Sequence, residues 1–399
     1  MIPLPANNQT PIPPSGEGQA VEALLRFAAT IGASAVHITV GAPPLLRLGN
    51  DLWSLRDIAE MEDEKAKKAT SFLSANPAWG IIMTPTSAWR AVAEIFTRPD
   101  LRERFERTGT TRFVRPLPGL TRYLVTVFRQ RGNPAIVCRS LGQGVPSLED
   151  LFRHLPEAKD TVERLLTTGA GLVLVASPPG GGRDTTLAAM IDFINRTSLR
   201  HVVTIEAPIR YLHRHSRGIV NQREVGEDVE SFESGVKAAA ESDADVIAVG
   251  DVPDAGTADA LVAAAEGGRL VLCAVRAASA EEAVRRIADL LPENLGGGPA
   301  RRLVPVLRGV VVQKAVPSPN GRGTVVAAGV LPAAGPLGNA LLSGDSSRTA
   351  SLLRTGPVDG AFPLERSLAK LAASGAVSRT DAESRAGDVE LFWHYLKLY

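Results

Sequence analysis

The alternation of apolar and polar positions changes character along this chain. In VEALLRFAATIGA, Leu24, Leu25, Phe27, Ala28 and Ile31 recur at helical spacing and the pattern stops at Gly32. AVHITV then alternates as a half-buried strand, and GAPPLLRL turns into a second strand. From Ser54 to Arg107 the chain is charged and helical in flavour. RYLVTVFRQRGNPAIVCRSL predicts two strands around a turn at Arg131–Asn133. Together these elements predict a small α+β domain, and PSLEDLFRHLPEAKDTVERLLTTGA carries the chain into the next one.

From Gly171 the pattern becomes strand–helix–strand. GLVLVA, HVVTI, DVIAVG and RLVLCAV are short, continuous apolar runs rich in Val, Leu and Ile, with helical segments between them. Apolar strands that alternate with helices predict a parallel sheet covered on both faces. Ligands of such sheets bind at the C-terminal ends of the strands. Ser177–Asp184, Glu206, Asp251 and Arg276 each fall at or just beyond such an end, which makes them the candidate site. The C-terminal region reads as helical. Leu364, Leu368 and Leu371 share a face that ends at Gly375, and Thr380 with Glu383 is expected to form a capping box for the following helix. The tail ELFWHYLKLY is expected either to dock on its own domain or to anchor a partner.

Composition narrows this picture. The 399 residues exceed one compact core and predict two domains or more. Apolar content of 44% with 22% charged residues is that of a globular protein. The net charge of +1 gives no global pull toward nucleic acid, and no basic or aromatic stripe favours it. The two cysteines, Cys138 and Cys273, sit in apolar runs and read as small core residues in a reducing, cytoplasmic setting. No apolar run approaches the ~18 residues that span a bilayer. The proline-rich start MIPLPANNQTPIPPSGEG lacks a signal pattern, so residues 1–20 are expected to be a disordered lead.

The segment with the most chemistry is GLVLVASPPGGGRDTTLAAM, Gly171–Met190. A buried strand, a glycine-rich turn and a helix start make the layout of a phosphate-binding P-loop, G-x-x-x-x-G-K-[ST]. Gly180, Gly181 and Gly182 are able to present backbone N–H groups to a phosphate. Three positions depart from the motif: Ser177 replaces its first glycine, Arg183 its lysine, and Asp184 its Mg²⁺-binding hydroxyl. Arg183 keeps the charge but is planar and forked. A carboxylate at 184 can ligate Mg²⁺, but it also meets a polyphosphate charge to charge. Two unit charges about 4 Å apart repel by about 4 kcal/mol at an effective dielectric of about 20, roughly three decades in affinity if nothing compensates. A carboxylate at a helix start is also favoured by the macrodipole, so Asp184 is able to stand in for a phosphate. Thr185 points roughly 100° further round the helix.

The order and spacing of several segments resemble the PilT-like branch of the type II/IV secretion ATPases, the pilus retraction ATPase family. These are LLRFAATIGASAVHITVGAPPLLRL, VFRQRG, GLVLVASPPGGGRDTTLAAMIDFINRT, HVVTIEAPIRYLHRHSRGIVNQREVGEDVESF and DADVIAVGDVPDAGTADALVAAAEGGRLVL. The resemblance runs from about Val21 to Asp388. It implies an α/β protein: a PAS-like N-terminal α+β domain over 21–145, a RecA-like P-loop domain over 160–340 and a C-terminal helical region over 341–399. It also implies ATP and Mg²⁺ as cofactors and hexameric rings with nucleotide between neighbouring domains.

The same resemblance marks positions. Glu206 keeps an acidic-box glutamate, while Ala207 replaces an aspartate and Arg210 a second glutamate. Asp251 stands where the family has its water-activating glutamate, one methylene shorter, and a misplacement of ~1 Å can cost about 10²-fold in rate. Arg276 stands at the histidine-box position. Of two N-terminal arginines that reach the nucleotide in the family, one becomes Leu124 and the other is kept as Arg139. His213 and His215 read as loop residues, since no third metal ligand is evident.

Three functions follow. The first is a degenerate, weak or inactive ATPase that serves a pilus or secretion machine as a ring-forming structural or regulatory component. It would form a homo-hexamer or a mixed ring with an active PilT-like paralogue, beside an inner-membrane platform protein. The second is an active motor in which Arg183 contacts phosphate, Asp184 and Glu206 hold Mg²⁺, Asp251 is the base and Arg139 assists. The third is an assembly module that uses no nucleotide. The expected location is cytoplasmic, at the inner membrane only through partners.

Overall fold

The computed structural model describes residues 20–399 apart from 50, 143, 293–298, 320–322, 356, 357 and 359. The lead expected over 1–20 therefore lies, except for Ala20, outside the described residues. The chain divides into two compact units, Met1–Gln143 and Gly144–Tyr399.

The first unit has six strands: β1 (Ala35–Ile38), β2 (Leu45–Leu48), β3 (Asp51–Ser54), β4 (Thr110–Leu117), β5 (Thr121–Gln130) and β6 (Asn133–Leu141). They form one sheet in the order β3-β2-β1-β6-β5-β4 with antiparallel neighbours throughout. Arg131 (φ 47°) and Gly132 (φ 77°) make the two-residue turn between β5 and β6. Both central residues have positive φ, the geometry that matches strand twist in a tight hairpin. β4 was not evident from the sequence. It is an edge strand, where the ladder tolerates Pro116 and polar residues alternate outward. Helices Ala20–Thr30, Pro85–Ile95 and Pro99–Thr108 cover one face of this sheet. Phe27 stacks on Phe72 at 4.5 Å, and the buried Tyr123 hydroxyl donates to the Leu25 carbonyl at 2.9 Å.

The second unit carries β7 (Gly171–Ser177), β8 (His201–Glu206), β9 (Ile219–Glu224), β10 (Val246–Val249), β11 (Leu270–Arg276), β12 (Leu307–Pro317) and β13 (Thr324–Pro332). Their order is β13-β12-β7-β11-β10-β8-β9, parallel except for the antiparallel β13 edge. Every residue of β7 and β10 is buried, as expected for strands with helices on both faces. The apolar runs read from the sequence are β7, β8, β10 and β11. β9, β12 and β13 were not anticipated: β9 (IVNQRE) is polar, Arg308, Gly309, Gln313 and Lys314 interrupt the apolar run of β12, and no helix separates β12 from β13.

The C-terminal helices cover this unit. Leu364, Leu368 and Leu371 of helix Leu364–Ala373 are buried, and Gly375 adopts φ 71° just past its end. One local expectation is corrected. The next helix, Arg379–Glu383, is capped by Ser378, whose Oγ accepts from the Asp381 N–H at 3.0 Å, rather than by Thr380. Ser378 precedes the first helical residue with extended backbone, whereas Thr380 is already inside the helix. Glu383 instead accepts from the Trp393 indole N–H at 3.0 Å.

The aromatic tail forms helix Val389–Leu396 and docks on its own unit through Leu391 and Phe392. Phe392 is fully buried. Phe392→Ala should therefore lower the stability of the second unit by about 3–5 kcal/mol, seen as an earlier urea transition in intrinsic fluorescence, while Val389→Ala on the exposed side should leave it unchanged.

Candidate functional site

The glycine-rich turn is shaped by the end of β7. Ser177 is buried, and its Oγ donates to the Pro178 carbonyl at 3.0 Å. The Gly181 N–H donates to the same carbonyl at 3.0 Å. Gly180 and Gly182 adopt φ 79° and 88°, where a side chain is strained. A Cβ on Gly181 would lie 2.7 Å from that of Ser177. The helix Arg183–Thr197 then starts with Gly182 as its N-cap and no side-chain cap bond; the Thr185 N–H turns back to the Gly182 carbonyl at 3.0 Å, and no side chain caps the N–H groups of Arg183 and Asp184.

Gln313 of β12 braces this loop from the neighbouring strand. It is buried; its Nε2 donates to the Gly181 carbonyl at 2.6 Å and its Oε1 accepts from the Thr186 hydroxyl. No motif flags it, because it is one of several polar residues in a mostly apolar strand more than a hundred positions downstream. Thr185 turns away from the loop and shares a 2.8 Å hydrogen bond with the Tyr211 hydroxyl.

Asp184 is enclosed by guanidinium groups. Arg210 Nε lies 2.8 Å from its Oδ2, and Arg183 Nε lies 3.6 Å from its Oδ1. The phosphate repulsion expected for an uncompensated carboxylate is thus offset within the protein. Arg210 supplies the counter-charge for Asp184. Arg183 Nε is shut off from solvent and has no hydrogen-bond acceptor. With the glycine backbone and the uncapped helix start, this orphaned donor makes the loop fit an anionic phosphate.

Sheet register brings the other candidates to the same edge. Arg276 ends β11 directly beside Ser177. The Gly250 N–H donates to the Ile205 carbonyl at 2.9 Å, so Asp251 follows β10 next to Glu206 at the end of β8. Asp251 Oδ2 pairs with Arg276 Nη2 at 3.1 Å, and its Oδ1 accepts from the Val252 N–H at 3.1 Å. Glu206 is engaged on both oxygens. Oε1 accepts from the Thr204 hydroxyl at 2.8 Å and Gln222 Nε2 at 3.2 Å, and Oε2 from the Arg210 N–H at 3.4 Å. Burial raises the Glu206 carboxyl above the usual range; these three donors oppose the rise, and the Asp184 charge adds to it.

Arg139 and Leu124 belong to the first unit, where they face each other across β5 and β6, Leu124 buried and Arg139 exposed. Cys138 and Cys273 are free and buried, as their apolar runs predicted. No cluster of three or more His, Cys, Asp or Glu among the described residues could hold a metal. His213 contributes to none: burial lowers it to about 4, and its Nδ1 has no partner. A cavity of about 600 Å³ in the second unit is lined by Lys314, Leu331, Leu353 and Glu365, and no P-loop residue borders it. No helix among the described residues is long and apolar enough to cross a membrane.

Comparisons with known proteins agree with this fold. Residues 130–330 match the family described as type II/IV secretion system protein. The chain is 29% identical to the type IV pilus ATPase PilT of Pseudomonas aeruginosa over 92% of its length and 98% of the relative's. It is 30% identical to the type IV pilus ATPase PilU of the same organism, over 92% of this chain and 88% of that one. Among solved structures, the pilus retraction motor PilT with bound ADP superposes with a TM-score of 0.77 at 31% identity, covering 92% of this chain and 97% of that one.

Two outcomes follow from the site's geometry. Gln313→Ala leaves the Gly181 carbonyl and the Thr186 hydroxyl unpartnered, and should cost about 1–3 kcal/mol with faster amide exchange at residues 180–182. His213 binds its proton more weakly folded than unfolded, so the unfolded state holds more protons between the ordinary histidine value and about 4. Stability from this residue is complete above that window and falls as pH drops through it. His213→Gln should flatten the fall in chemical-denaturation midpoints over that range.

Proposed function

We infer that this chain, which belongs to the type II/IV secretion system protein family in its PilT-like branch, is a ring-forming component of a pilus or secretion machine whose own ATP hydrolysis is weak or lost. One observation carries the reading: Asp251 is held by Arg276. A general base must reach the attacking water with a free carboxylate oxygen. Here one oxygen faces a guanidinium and the other the Val252 N–H. The shorter side chain adds a distance error.

Arg276 is 55% exposed, so the pair itself stabilises the fold by no more than about 1 kcal/mol. Its effect is on chemistry rather than on folding. The packed frame supports a role in assembly: both strand-flanking helix layers and the loop brace are intact while the groups with chemical roles are altered. The chain would join a ring of its own copies or one with an active PilT-like ATPase, docked on an inner-membrane platform. The motor reading requires Asp251 to be released from Arg276.

Purified full-length protein with Mg²⁺-ATP should release phosphate at the background rate, and Asp251→Ala should not change it. Turnover of about 1 s⁻¹, at the low end of ordinary enzymes, that is abolished in Asp251→Ala would overturn the reading. Co-expression with a PilT-like ATPase should yield a mixed complex by native mass spectrometry; consistent separation of the two chains counts against the assembly role.

A further inference from the structure

The carboxylates at this site do not fit a divalent cation. In a P-loop the residue at position 184 ligates the metal through a neutral hydroxyl. Asp184 would offer a stronger ligand, but Arg210 Nε takes Oδ2 at 2.8 Å and Arg183 Nε faces Oδ1. Glu206, the other candidate ligand, accepts hydrogen bonds on both oxygens, from the Thr204 hydroxyl, Gln222 Nε2 and the Arg210 N–H. A dication at this position would have to displace the Arg210 donor from Asp184 and the donors on Glu206, and it would meet the charges of Arg210 and Arg183 at close range.

A fixed guanidinium, Arg210, sits beside the metal-ligand position. Arg183 keeps a buried Nε donor without an acceptor. Guanidinium forks match phosphate oxygens, and their charge needs no coordination geometry.

We propose that this site binds the phosphates of a nucleoside di- or triphosphate without a divalent metal, with Arg210 and Arg183 supplying the positive charge that Mg²⁺ brings elsewhere. This rests on the reading above that the chain is an impaired ATPase, and gives that impairment a second cause. A phosphoryl group held by arginines alone lacks the ion that bridges the β- and γ-oxygens during transfer. Nucleotide would then act as a structural ligand that holds the loop and the strand ends together.

The test is a fluorescence-anisotropy titration of full-length protein with N-methylanthraniloyl-ADP and its ATP counterpart, in EDTA and in MgCl₂. Saturable binding is expected in EDTA, with a dissociation constant within about threefold of that in MgCl₂. Arg210→Gln, a change at a partly exposed side chain, should weaken binding in EDTA by about tenfold or more. Asp184→Ser with Arg210→Glu should restore Mg²⁺ dependence, so that MgCl₂ tightens binding at least about tenfold. No saturable binding in EDTA, tenfold tighter binding by the unaltered protein in MgCl₂, or Arg210→Gln binding as tightly as the parent would each overturn the proposal. Metal-free binding together with Mg²⁺-ATP turnover lost in Asp251→Ala would sink the impaired-ATPase reading and leave this one standing. Silent turnover with no binding in EDTA would do the reverse.

Discussion

The site depends on the parallel register that locks β7 between β12 and β11. β7 is buried along its whole length and hydrogen-bonds on both edges. A one-residue slip would turn its side chains to the opposite faces and move the turn out of place. With the register fixed, Ser177 ends opposite Arg276, and the ends of β10 and β8 follow in the same row. The chemistry of the loop, the two arginine–aspartate pairs and Glu206 all inherit their positions from that ladder. Gln313 transmits it to the loop, since its own strand is the other neighbour of β7.

Within this frame the altered residues form a coupled set. A carboxylate at 184 alone would repel a polyphosphate, and an arginine at 210 alone would add an unbalanced cation beside a helix N-terminus, where the macrodipole disfavours it. Together they form an ion pair at 2.8 Å, and with Arg183 beside it the group keeps one net positive charge (two guanidinium groups against one carboxylate). Asp251 and Arg276 repeat the arrangement at the next strand ends. Each pair joins residues from different elements, so a change at either member disturbs the electrostatics of the other. The result is a fold shared with PilT-like ATPases in which Asp184 and Asp251 are each paired with an arginine.

Part of this was legible in the chain. Helical spacing at Leu24–Ile31 and Leu364–Leu371, the tight turn at Arg131–Asn133 and the runs of β7, β8, β10 and β11 are local patterns, and local patterns set local structure. β4, β9, β12 and β13 were not legible. β4, β9 and β13 are edge strands with one unpaired side, where polar residues and proline interrupt the apolar signal. The cap at Ser378 was misread by two residues, because Ser378 with Asp381 and Thr380 with Glu383 offer the same spacing and only backbone geometry separates them.

By itself the sequence determined that a glycine-rich turn with P-loop spacing follows a buried strand, and that Arg183 and Asp184 stand at the motif's lysine and hydroxyl positions. Those are properties of residue identity and short-range order. Only the tertiary structure decided which altered residues answer each other. Asp184 and Arg210 are twenty-six positions apart, Asp251 and Arg276 twenty-five, and Gln313 lies far downstream of the loop it braces. Charge pairing acts through distance in space. The parallel sheet, by returning the chain to the same edge after every helix, turns those separations into contacts of about 3 Å.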